Sequence, residues 1–217
     1  MKKYDTVLFD LDGTLTDPES GLVSSFKYAL DKMGLEYGEK ESLKRFIGPP
    51  LYSEWKSLYS LSNEDADKAL ALFHEYYSVY GWWDNVLYEG IKEMLSALKA
   101  SGFTLAVATS KPEFFAKKVV ALYGIDGFFD FVGAADGDRV RDKKHEVIDY
   151  VFENIGQDKR SHAVLVGDRK FDAEGAEICG IDSIGVLWGH GSEEEIDGAG
   201  FTYKAGTPCE IIKVLSV

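Results

Sequence analysis

Apolar residues fall into two textures along the chain. Short continuous runs at 4–9, 103–108, 128–133, 163–167 and 183–187 are rich in β-branched or aromatic side chains and show no alternation. That pattern predicts strands buried on both faces. Elsewhere the apolar positions recur at helical spacing: Leu22, Phe26, Ala29, Leu30 and Met33 mark a helix over 19–33 that Gly34 stops. The same spacing predicts helices over 89–101, 112–123, 144–155 and 173–179, with Pro112 acceptable in a first turn. Between 17 and 83 no strand pattern occurs. Helices are expected there over 40–46, 51–58 and 63–79, with a turn at Gly48, Pro49 and Pro50.

Continuous apolar strands separated by amphipathic helices make an α/β fold, a doubly wound and mostly parallel sheet with a Rossmann-like core. The helical section after the first strand is then an inserted all-α cap domain. Core segments at 1–16 and 85–217 and a cap at 17–84 are expected, the cap standing over the carboxyl edge of the sheet as a lid. Hinges are expected near 17–21 and 81–87. The chain of 217 residues is long enough for one substantial domain and a smaller one.

Charge narrows the partners. Against 24 basic side chains stand 37 acidic ones, a formal charge of -13, which disfavours nucleic-acid polymers and anionic membranes. A phosphorylated ligand would need a metal ion and a few local cations to reverse the field. Cys179 and Cys209 make neither a disulfide framework nor a metal set, and no leader-like segment or bilayer-length apolar run is present. A cytoplasmic location is expected.

The chemistry-bearing residues fall at strand ends. Asp10 and Asp12 follow the first strand, Thr109, Ser110 and Lys111 the second, and Asp168, Arg169, Lys170 and Asp172 the fourth, while Lys143 and Lys144 open a helix between them. In a doubly wound sheet these ends share one rim. Three clustered carboxylates repel one another unless a hard divalent cation sits among them, and Mg²⁺ accepts carboxylate oxygens together with waters and a phosphate oxygen. Asp10 is the better nucleophile because it terminates a buried strand. Asp12 suits an acid that later acts as a base. Thr109, backbone N–H groups near Gly13 and Ser110, and one lysine can hold a phosphoryl group whose oxygens carry the developing charge.

The run Asp10-Leu11-Asp12-Gly13-Thr14-Leu15-Thr16-Asp17, with Thr109 and with Gly167-Asp168 and Asp172, resembles the motifs of the haloacid dehalogenase superfamily. The resemblance is to its phosphoglycolate-phosphatase-like branch, with a helical cap inserted after the first strand. It implies that Asp10 is the phosphorylated nucleophile and a Mg²⁺ ligand. Asp12 would be the general acid and base, its backbone carbonyl also on the metal. Asp168 would complete the direct ligands and Asp172 would steady the metal's surroundings. Thr109 and Ser110 would hold phosphoryl oxygens with Lys144, which is preferred to the adjacent Lys143 although the usual Gly-Lys-Pro wording is absent.

Arg45, Lys111, Arg169 and His190 are further candidates for substrate contact; an ion-pair or solvated role accounts as well for Lys111 and Arg169, and a surface or loop role needs no ligand at Arg45 and His190. The expected activity is Mg²⁺-dependent hydrolysis of small phosphate monoesters, whether phosphoglycolate-like, nucleoside monophosphate or sugar phosphate. A sugar phosphomutase would share the first half-reaction, and a receiver-like phospho-acceptor module would stop after it. The partner is a small phosphorylated metabolite, and monomer or dimer is left open.

Overall fold

The computed structural model describes residues 3–48, 51–136 and 141–216. The strands are β1 (Thr6–Phe9), β2 (Thr16–Asp17), β3 (Val86–Leu87), β4 (Thr104–Pro112), β5 (Phe131–Ala135), β6 (Ala163–Gly167), β7 (Asp182–Val186) and β8 (Tyr203–Ala205). The α-helices are α1 (Glu19–Met33), α2 (Lys40–Leu43), α3 (Leu51–Leu58), α4 (Asn63–Tyr76), α5 (Ile91–Ala100), α6 (Glu113–Leu122), α7 (Lys144–Ile155), α8 (Lys170–Cys179), α9 (Glu193–Gly198) and α10 (Pro208–Val214).

Six strands form one sheet in the order β5-β4-β1-β6-β7-β8, and every pairing in it is parallel. All four residues of β1 and all five of β6 are buried, as continuous apolar strands covered on both faces must be. α7 and α8 close one face. Val147, Ile148, Val151 and Phe152 pack there with Leu8, Leu165 and Ala176. The chain runs from β1 outward to β4 and β5, then crosses to β6 on the other side of β1. That reversal opens a crevice at the carboxyl ends of β1 and β6, the place where such sheets take ligands.

The chain divides into two compact units, one holding the sheet and the other comprising Asp17–Val86. At the two crossing points β2 and β3 pair with each other. The second unit is helical, with α1 against α4 around an aromatic centre: Phe26 stacks on Phe73 at 5.4 Å, and the fully buried Trp55 meets Phe26 edge-on at 6.0 Å. α4 does not run on regularly to residue 79. It widens into a π-helical turn over Tyr77–Gly81, bringing Gly81 so close to Gly21 of α1 that a Cβ on either would strike the other's backbone.

Several boundaries differ from the sequence pattern. The expected strand at 128–133 starts later, as β5, because Asp126–Phe128 is taken into a 3₁₀ turn. β4 runs past Ala108 through polar residues to Pro112, with a register shift against β5 between Thr109 and Pro112. Residues 40–46 split into α2 and a 3₁₀ turn, Lys44–Phe46. Of the expected turn at Gly48, Pro49 and Pro50, the two prolines lie outside the described residues.

Candidate active site

β1 delivers Asp10 to the rim. Its N–H donates to Val166 O at 2.9 Å, so the residue after β1 is pinned to β6, and Asp10 Oδ1 accepts the N–H of Leu11 at 2.7 Å. β6 delivers Asp168, and the first turn of α8 delivers Asp172; both are 1% exposed. Oxygens of Asp10, Asp168 and Asp172 lie within 4.8 Å of one another.

Lys144, first residue of α7, reaches into this group. Its Nζ is 3.0 Å from Asp10 Oδ1 and 2.8 Å from Asp172 Oδ1 and donates to Ala108 O at 3.0 Å. Glu146 accepts the N–H groups of Asp142 and Lys143 at 3.0 and 2.9 Å, fixing the start of the helix. Lys143 is exposed there, so the two adjacent lysines are separated by helix phase: one points into the carboxylates and the other into solvent.

Loops hold Asp168 on both sides. His190 N–H donates to its Oδ2 at 2.8 Å and Thr14 Oγ1 to its Oδ1 at 3.2 Å. Gly13, at φ +85°, takes a conformation that favours glycine, and a side chain there would collide with the Asp168 carboxylate. Gly189 approaches as closely: a Cβ there would sit 2.3 Å from Asp168 Cβ and 2.4 Å from Gly13 O. Trp188 ties these loops together, its indole N–H donating to Thr14 O at 3.0 Å.

Burial, then repulsion from Asp172 and Asp10, pushes Asp168 up to about 7. Burial also pushes Asp172 up, to about 6, although Lys144 opposes the shift. For Lys144 burial favours the neutral amine, but Asp10 and Asp172 outweigh it and hold the ammonium above the usual lysine range. Beyond burial, both upward shifts reflect excess negative charge in the cluster, and Asp172 Oδ1 meets the Lys144 ammonium at 2.8 Å as an ion pair.

Asp12 faces a different cation. Lys111 Nζ donates to both its oxygens, at 2.9 and 2.7 Å. With Asp10, Asp12, Asp168 and Asp172 all ionised against Lys111 and Lys144, the rim would carry two uncompensated negative charges. An all-oxygen set with that excess fits a hard divalent ion such as Mg²⁺.

The other candidates are dispersed. Thr109 is buried, and its Oγ1 accepts the N–H of Lys111 at 3.2 Å; Ser110 is exposed. Arg169 pairs with Glu195 at 2.9 Å, and the same Glu195 oxygen accepts Lys170 N–H at 2.9 Å. His190 meets Asp168 through its backbone. Arg45 lies in the helical unit, lining a cavity of about 260 Å³ with Tyr37, Ser42, Leu58 and Tyr59. The Trp188-Gly189-His190-Gly191 run resembles a family loop beside the site entrance, but the bracing hydrogen bond of Trp188 and the part played by Glu195 are not readable from it. Nothing in the sequence marked Glu195.

Known proteins carry the same frame. A 5'-nucleotidase of Pseudomonas aeruginosa is 37% identical over 194 residues, covering 89% of this chain and 87% of its own. The tyrosine-protein kinase PtkA of Mycobacterium tuberculosis is 36% identical over 213 residues, covering 97% and 72%. A phosphoglycolate phosphatase of Colwellia psychrerythraea is 29% identical over 92% of each chain. The crystal structure of a predicted phosphatase from Clostridium acetobutylicum superposes with a TM-score of 0.92 at 38% identity, covering 99% of each chain. Residues 7–186, which span β1 to β7 and so every carboxylate of the rim, match the haloacid dehalogenase-like hydrolase family, and the chain belongs to that family.

Proposed function

We propose that this protein hydrolyses small phosphate monoesters with Mg²⁺, Asp10 attacking phosphorus to give an aspartyl-phosphate that water then releases. The observation that carries the reading is the meeting of Asp10, Asp168 and Asp172 within 4.8 Å beside Lys144. A displacement at phosphorus needs a fixed nucleophile and compensation for charge on the phosphoryl oxygens. Asp10 is fixed by its strand and by Lys144. Asp10 and Asp168, with the main chain at Asp12, would hold the metal, and Asp172 would support it from the same cluster. Bound Mg²⁺ would supply Lewis-acid neutralisation of the phosphoryl oxygens.

Lys144 adds a full positive charge from the side of α7, and the buried Thr109 hydroxyl offers a neutral donor from the polar part of β4. Asp12, two residues from Asp10 and paired with Lys111 rather than Lys144, would serve the leaving oxygen and later the attacking water. The leaving group is open among the classes that the relatives suggest, nucleoside monophosphates and phosphoglycolate among them.

A screen of phosphate esters with Mg²⁺ tests the reading. Turnover with inorganic phosphate release is expected, along with loss of both turnover and acid-quenched phosphoenzyme in Asp10→Asn. Activity surviving intact in that variant overturns it. The similarity to a tyrosine-protein kinase favours a second reading, in which a tyrosyl hydroxyl replaces water as acceptor. ATP with tyrosine peptides belongs in the same screen, and phosphotyrosine formed faster than free phosphate would select it.

A further inference from the structure

Lys111 is buried at the site's rim, its side chain 3% exposed, and its ammonium grips both oxygens of Asp12 at 2.9 and 2.7 Å. A long lysine stem is costly to immobilise and bury, and an exposed rim carboxylate needs no such partner for solubility. The backbone shows how the side chain comes to be there. Thr109 and Lys111 lie on one face of β4 and Ser110 on the other, so the burial alternates as buried, exposed, buried. Lys111 N–H donates to Thr109 Oγ1 at 3.2 Å, and the register shift against β5 falls between Thr109 and Pro112. The strand end therefore stays ordered one turn of pleat beyond the apolar run, as bulged strand ends beside sites do when they re-aim a side chain.

Asp12 has only modest anchoring of its own. It follows Asp10 by two residues and leads into Gly13, and its backbone meets Thr16 in an isolated bridge. Its carboxylate is 22% exposed, against 14% for Asp10. Two lysines thus divide the acids between them: Lys144 takes Asp10 and Asp172, and Lys111 takes Asp12. This separates the two acids that must do different things.

We infer that Lys111 is the positioning residue for Asp12, holding its carboxylate in one place and away from the Asp10, Asp168 and Asp172 cluster until substrate enters. The inference rests on the proposed acid and base role of Asp12. Lys111 itself acts through Asp12, without touching the reacting atoms, which distinguishes it from a lysine that clamps the phosphoryl group.

The test is a double-mutant cycle read as kcat/KM on aryl and alkyl phosphates of graded leaving-group basicity, with Lys111→Met, Lys111→Arg, Asp12→Asn and the Asp12→Asn/Lys111→Met pair. Misplacing a catalytic group typically costs up to about 100-fold, so Lys111→Met is expected to lose about 10- to 100-fold on alkyl esters. It should lose little more once Asp12 is already Asn, and Lys111→Arg should recover part of the activity. The Lys111→Met loss should be steepest where the Asp12→Asn loss is steepest. Equal losses from Lys111→Met with and without Asp12, or no loss at all, overturn the inference. Failure of the underlying reading looks different: Asp12→Asn would then lose no more on alkyl than on activated aryl esters. Unfolding midpoints of each variant separate lost positioning from lost folding, and a Lys111→Met loss that follows the midpoint and is not rescued by Arg counts against the inference.

Discussion

Asp10, Asp168 and Asp172 press three like charges into one buried volume, and a single lysine does not balance them. Asp168 and Asp172 titrate above the unfolded aspartate value near ~3.9, so across the interval up to roughly neutral pH the folded chain binds protons that the unfolded chain does not. Their contribution to stability therefore falls as pH rises through that interval and returns on acidification. His74, lowered by burial, works the other way below its ordinary value, so a substitution isolates the acids better than a pH scan alone. In EDTA at pH 8, Asp168→Asn is expected to be more stable than the parent by on the order of 2 kcal/mol, with a smaller gap at pH 5. Urea midpoints check it, and Mg²⁺ should raise the parent far more than the variant. A parent that matches or exceeds the variant at pH 8 without metal shows that the repulsion is absent. That these acids gather was legible, because strand ends of a parallel sheet share a rim. Their partners were not, since Lys111 with Asp12 and His190 N–H with Asp168 depend on side-chain conformations and on loops as many as 99 positions apart for the first pair.

Elements were legible where hydrophobic runs were long. α1, α3 and α7 start and stop where spacing and flanking glycine or turn residues place them, whereas β8, three residues long, carries too little pattern to read and exists because β7 offers it an edge. The first turn of α8 and the end of β4 both carry charged residues of the rim, Asp172 in the one and Lys111 in the other, and that polarity hides their regularity. Packing between α7 and α8 makes one of these hidden constraints testable. Gly175 of α8 lies against the stem of Lys144, and an added Cβ would sit 2.6 Å from its Cγ and 2.8 Å from its Cβ. The neighbour cannot yield without moving the ammonium off Asp10 and Asp172. Gly175→Ala is thus expected to lower kcat by about 10- to 100-fold, since sub-ångström misplacement of a charged group is enough. Alanine's better helix propensity, worth about 1 kcal/mol, should meanwhile limit the stability loss. Steady-state kinetics beside thermal unfolding checks the separation, and unchanged kcat would mean that α7 and α8 slide apart freely.

At the scale of the whole molecule, a chain with a formal charge of -13 must admit an anion. The rim's own imbalance repeats the problem locally, because Lys111 and Lys144 are already committed to carboxylates. Composition alone made this conflict visible, and it pointed to a metal ion with a few local cations as its resolution. What composition did not show is that Lys111 and Lys144 are both engaged by the acids they order. Long-range repulsion is screened over about 10 Å at ~0.1 M salt and reaches several times farther at low ionic strength. With Mg²⁺ held saturating, kcat/KM for a doubly anionic ester is therefore expected to rise about two- to fivefold as sodium chloride goes from about 10 to 150 mM, opposite to enzymes whose fields attract their substrates. The rise should appear in KM, because the field acts on approach, while kcat, set by groups in contact, stays level. A kcat/KM that instead falls steeply with salt would assign the approach to an attractive patch, and would make the metal's charge a local device for the chemistry rather than the molecule's answer to its own field.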